Sequence, residues 1–206
     1  MRTILLAWEL GRGFGHIVRL RRIAERLKRA DIRLVAAARS VSAGAMLRDI
    51  GIETVQAPLW PGVGGSEPRG RVRSSATLLD TFAGIGLADP VALTGVIAAW
   101  RALFSLLLPD LVIADYAPGA MLASRGLIPL AVVGSGFTVI PPELERFPRL
   151  HRLAPPVWGE DEVLASVNEV LGRFSSPPLD RAPAMYSCEV TAVTSFPLLD
   201  PYRTER

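Results

Sequence analysis

A three-layer α/β/α Rossmann-like domain built on a parallel sheet is the fold class that this sequence of 206 residues predicts. Three observations lead there. Short apolar runs alternate with amphipathic segments along the whole chain, the order that produces parallel strands joined by crossover helices. The first apolar run leads directly into a loop holding Gly11, Gly13 and Gly15, which in turn opens a helical pattern. Half of the residues are hydrophobic and only 21% are charged, enough apolar surface for a full core and too little charge for a disordered chain.

Taken in order, residues 4–7 read as a buried strand. From Ile17, the apolar Leu20, Ile23, Ala24 and Leu27 recur at helical spacing, with Arg19, Arg21, Arg22, Arg26, Lys28 and Arg29 read as a solvated helix face. Residues 32–38 form the second apolar run. Ser40 or Ser42 is suited to cap a short helix that stops at Gly51, and residues 53–57 are a third strand. Residues 58–73 hold Pro61-Gly62 and Gly64-Gly65 and little periodicity, so a loop is expected. Helices are expected over 74–82 and from Asp89-Pro90 to Leu108. Strand 111–114, helix 118–125, strand 129–133, a proline-rich stretch 141–156, helix 161–174 and strand 189–194 complete the series. There is no internal repeat.

Composition narrows the function classes. The net charge is +3 and the pI about 9.6, but the basicity is nearly all arginine, Lys28 being the only lysine. The arginines are scattered instead of forming a block, which argues against a nucleic-acid partner. Cys188 is the single cysteine, so no disulfide framework or cysteine-based metal site is available, and no zinc-type spacing occurs. The acidic run Glu160-Asp161-Glu162 fits the first turn of a helix better than a metal site. Glu9 and Arg12 interrupt the N-terminal apolar run before it reaches the length of a signal peptide. Segment 91–108 is the most membrane-like, but Thr94, Trp100 and Arg101 interrupt it, so a helix packed on a sheet is expected rather than a transmembrane span. A cytoplasmic location follows as the expectation, with a peripheral place at the membrane left open.

Three features fall just beyond strand ends and therefore at one edge of the sheet: the loop 11–16, Asp115, and residues 134–138. In open α/β sheets that edge is where ligands bind. His16 stands where the glycine loop becomes the helix, and a histidine held by a carboxylate such as Asp115 makes a general base. Each residue also has a plainer reading. His16 suits a helix cap, Asp115 suits a cap for the helix after it, and Ser135 and Thr138 suit a closed turn. Trp60, Trp100 and Trp158 suit either an apolar acceptor pocket or the core, and His151 suits an exposed loop.

The segments Gly13-Phe14-Gly15-His16-Ile17-Val18-Arg19 and Ile23-Ala24-Glu25-Arg26-Leu27 resemble the opening of GT-B glycosyltransferases of the UDP-glycosyltransferase-like group. Pro109-Asp110-Leu111-Val112-Ile113-Ala114-Asp115-Tyr116 and Ile128 to Ser135 resemble later strands of that group's N-terminal domain. The resemblance implies that His16 deprotonates the acceptor, that Asp115 supports it, and that Ser135 stands near the donor phosphates; with Ser135, Gly13, Gly15, Trp60 and Thr138 are the substrate-binding candidates. It also implies a nucleotide sugar, UDP- or dTDP-linked, as co-substrate, with no other cofactor and no metal. The acceptor would be a hydroxyl-bearing small molecule or lipid, bound between the 58–73 loop and the segment around Trp100 and 141–158. Residues 1–195 would be the acceptor domain and 196–206 the start of a linker, the second, donor-binding domain lying outside this chain or on a second subunit. Two rival readings stay open: an NADP-binding oxidoreductase, with Arg39 at the end of the second strand for the 2′-phosphate, and a non-catalytic module that binds sugar nucleotides or lipids.

Overall fold

The computed structural model describes residues 1–63 and 76–206. Six strands form one wholly parallel sheet in the order β3-β2-β1-β4-β5-β6. They are β1 (Arg2–Trp8), β2 (Ile32–Ala38), β3 (Glu53–Gln56), β4 (Leu111–Asp115), β5 (Leu130–Gly134) and β6 (Val190–Val193). The helices are α1 (Gly15–Leu27), α2 (Ala45–Arg48), α3 (Leu78–Phe82), α4 (Pro90–Leu107), α5 (Pro118–Ser124) and α6 (Glu160–Arg173). The expected strands and helices are all present, with ends shifted by a few residues.

Alternation along β1 explains the layers. Ile4, Leu6 and Trp8 point to one side, where Ile17, Leu20 and Ala24 of α1 and Leu47 of α2 cover them. Leu5 and Ala7 point to the other, into a larger core built by α3, α4, α5 and α6. A central strand buried on both faces has to be apolar throughout, and residues 3–8 of β1 are buried throughout. Helix α4 is long and apolar enough to cross a membrane by length and composition. In the fold its Leu93, Val96, Ile97, Trp100, Phe104 and Leu107 are buried in the larger core, and Asp89 caps it by accepting from the amides of Val91 and Ala92.

The helix expected over 74–82 is shorter in its described part. Thr77 and Asp80 form a reciprocal capping box that starts α3 at Leu78. A π-helical turn, Ala83–Leu87, follows, with Gly86 at φ +126° breaking the path before α4. Residues 74 and 75, and residues 64–73 of the expected loop, lie outside the described residues. A 3₁₀ turn at Ala182–Tyr186 leads into β6.

Candidate functional site

The chain runs outward from β1 to β2 to β3, then returns to the centre to place β4 on the other side of β1. The crevice at that reversal lies beyond the carboxyl ends of β1 and β4, whose last residues, Trp8 and Asp115, are register partners. Past Trp8 the backbone turns through the glycine loop into α1. Gly11 has φ +90°, and a Cβ there would stand 2.1 Å from His16 Nε2. Only a bare α-carbon lets the imidazole lie where it does. Helix α1 turns Ile17 and Leu20 inward, and His16 and Arg19, one turn apart, both face Asp115.

His16 Nδ1 is 2.9 Å from Asp115 Oδ1, and Arg19 Nη1 donates to Asp115 Oδ2 at 2.6 Å. Asp115 is fully buried, while the His16 side chain keeps 15% of its surface exposed. A carboxylate can only accept, so the pair puts the imidazole proton on Nδ1 and turns the Nε2 lone pair toward Gly11. The ring is stacked against Trp8 at 5.8 Å and Tyr116 at 5.7 Å, each 18° from parallel. Tyr116 reaches this position with φ +51°, an uncommon backbone for a side chain of its size, and its carbonyl accepts from Leu10 N. The imidazole is thus held by two ring contacts and at Nδ1, leaving Nε2 as the atom that can act.

Arg19, expected on a solvated helix face, is instead part of this cluster. Its Nε also donates to Thr194 Oγ1 at 2.6 Å, which ties α1 to the end of β6. Asp115 does not cap α5, whose N-terminus has no side-chain cap. The structure therefore brings His16 and Asp115 within direct hydrogen-bond reach.

A second buried carboxylate went unread in the sequence. Glu9, 2% exposed, accepts from the indoles of Trp60 (2.7 Å) and Trp100 and from the amides of Gly119 (2.9 Å) and Ala120 (2.7 Å). Burial pushes its carboxyl up to about 7, against the lowering effect of those four donors. Gly119 is needed for this seat, since a Cβ there would lie 2.7 Å from Glu9 Oε1.

These contacts give Trp60 and Trp100 the core reading in place of the acceptor-pocket one. Trp60 and Trp100 do not line an open surface: both are buried, with their indole N–H groups committed to Glu9. Ser135 and Thr138 form a reciprocal cap on a 3₁₀ turn, so their hydroxyls close that turn. Gly13 and Gly15 are exposed beside His16, with open space where a Cβ would stand. Trp158 is half-buried, and its amide and that of Val157 donate to the Oδ1 of buried Asp80, pinning the proline-rich stretch to α3. Among the described residues no group of three or more His, Cys, Asp or Glu side chains is placed to hold a metal ion.

No family model matches the chain, and no curated protein matches it in sequence. Solved structures do match. The Streptomyces sp. SF2575 glycosyltransferase SsfS6 aligns over 98% of this chain and 52% of its own, at TM-score 0.54 and 15% identity. The spinosyn rhamnosyltransferase SpnG, solved with thymidine diphosphate, aligns over 93% of this chain and 44% of its own, at TM-score 0.55 and 13% identity. The spinosyn forosaminyltransferase SpnP aligns over 95% and 46%, at TM-score 0.55 and 15% identity. The chain spans about half the length of these structures. At such identities the likeness establishes the fold, and the fold is that of one half of a GT-B glycosyltransferase.

Proposed function

We propose that this chain is the acceptor-binding half of a glycosyltransferase, with His16 as the general base. The observation that carries the reading is the 2.9 Å contact between His16 Nδ1 and the fully buried Asp115, at the crevice where the strand order reverses. In this mechanism Nε2 takes the proton of an acceptor hydroxyl as its oxygen attacks the anomeric carbon of a nucleotide sugar. The bond from that carbon to the diphosphate oxygen breaks, and the nucleoside diphosphate leaves with the bonding electrons. Asp115 stabilises the imidazolium that forms, and the stacked Trp8 and Tyr116 rings keep it aimed.

The matched solved structures support the donor class: SpnG was solved with thymidine diphosphate and, in another structure, with its spinosyn aglycone. A dTDP- or UDP-linked sugar held by a donor-binding domain or second subunit is the reading that follows for this chain. Holding donor and acceptor together in near-attack geometry is worth on the order of 7–11 kcal/mol, which is why both halves are needed. The test is sugar transfer to a panel of hydroxyl acceptors by residues 1–206 joined to a donor-binding domain. Transfer that depends on His16 is expected; transfer indifferent to His16→Ala would overturn the base assignment.

A further inference from the structure

Beside the imidazole lies a depression of about 410 Å³ whose lining includes Trp8, Gly11, Arg12, Arg39, Ser40 and Ser42. Among the described residues, none that lines it is acidic. Arg39 Nη1 donates to the Gly11 carbonyl at 2.8 Å, which holds its guanidinium at the rim without neutralising it. Arg12 is exposed and has no ion pair among the described residues. Two guanidiniums with no ion pair among the described residues thus border one pocket. Ser40 Oγ accepts from Ala43 N and lies 2.8 Å from Ser42 Oγ. With Ser40 donating to Ser42, the Ser42 proton is free to point into the pocket.

From this we infer that the depression binds a phosphate monoester group carried by the acceptor. Two fixed positive charges match a dianion better than a carboxylate, and guanidinium forks and hydroxyl donors suit its several oxygens. The position links it to the base, because Trp8 and Gly11 line the depression and also touch the His16 ring. An acceptor anchored by its phosphate at Arg12 and Arg39 would present its hydroxyl to Nε2 across the bare α-carbon of Gly11. The role of that hydroxyl rests on the acceptor-half reading proposed above; the anion site does not.

The test is the affinity of the 206-residue chain for four probes, followed by amide chemical shifts: 4-(hydroxymethyl)phenyl phosphate, 4-(hydroxymethyl)benzoate, neutral 1,4-benzenedimethanol and adenosine 2′-phosphate. The phosphate probe should bind about tenfold or more tighter than the neutral diol, with shifts at Trp8 and Gly11. Arg12→Gln and Arg39→Gln should each weaken it about tenfold, and the glutamine side chain in Arg39→Gln retains a donor for the Gly11 carbonyl. Equal binding of the neutral diol or the benzoate, or unchanged affinity in Arg12→Gln, would overturn the phosphate site. So would tighter binding of adenosine 2′-phosphate, which would assign the pocket to a nucleotide. None of these readouts needs sugar transfer. Failure of the glycosyltransferase reading therefore leaves a phosphate-selective result standing, and equal probe affinities leave the His16 and Asp115 pair in place.

Discussion

At the scale of single residues, the site depends on three choices: a carboxylate at Nδ1 of the imidazole, a bare α-carbon near Nε2, and two aromatic rings stacked against it. Asp115→Asn keeps the shape but offers Nδ1 an amide in place of a carboxylate. It also takes from Arg19 the charge that it meets at 2.6 Å. Sugar transfer should fall on the order of 10²-fold or more, with the drop appearing in kcat. Gly11→Ala tests the other side of the ring. The new Cβ would stand 2.1 Å from Nε2 on a backbone at φ +90°, so either the loop or the imidazole has to move. A stability loss of about 1–3 kcal/mol in denaturant melts is expected, together with loss of transfer. A Gly11→Ala protein that transfers sugar at the wild-type rate would show that Nε2 does not act across Gly11.

At the scale of elements, Glu9 joins the end of β1 to α4, to α5 and to the loop after β3. Its carboxyl lies near 4.5 in the unfolded chain and about 7 in the fold. The folded state therefore holds the extra proton between those values, and stability is full below pH 4.5 and falls as pH rises through 7. The contribution lost is about 3 kcal/mol. Denaturant melts at pH 5 and pH 8 should show that fall in the wild type, and the difference should shrink in Glu9→Gln; an unchanged pH dependence would contradict it. Gly119→Ala, which crowds Glu9 Oε1 at 2.7 Å and Trp100 Nε1 at 3.1 Å, should lower stability at both pH values by about 1–3 kcal/mol. The same scale shows what the sequence revealed. Strand β2 coincides with the expected residues 32–38, and α4 begins at Asp89-Pro90 as its capping chemistry requires, because apolar period and caps are local signals. The π-turn at 83–87 and the 3₁₀ turn at 182–186 have no period to read. His16 and Asp115 could be placed together because strand order alone brings their loops to one edge. Arg19 could not, since a helical arginine looks solvated until its partner, 96 residues away, is known. Glu9 was harder still, with partners 51, 91, 110 and 111 residues distant.

At the scale of the molecule, the 206 residues form a parallel sheet covered on both faces, with the His16 and Asp115 pair at its switch point. The chain corresponds to about half of each matched glycosyltransferase, and under the proposed function acceptor and base lie here and the donor elsewhere. On its own the chain should bind dTDP- and UDP-sugars weakly and transfer no sugar, which incubation of the purified chain with labelled donor and an acceptor panel would check. Robust transfer by the chain alone would refute the division. The most direct test of the central claim is the transfer rate of residues 1–206 joined to a donor-binding domain, compared between wild type and His16→Ala at matched melting temperature. A fall in kcat of about 10²–10⁴-fold with the fold intact is expected, the range a positioned general base supplies. Transfer retained at the wild-type rate in His16→Ala would contradict it.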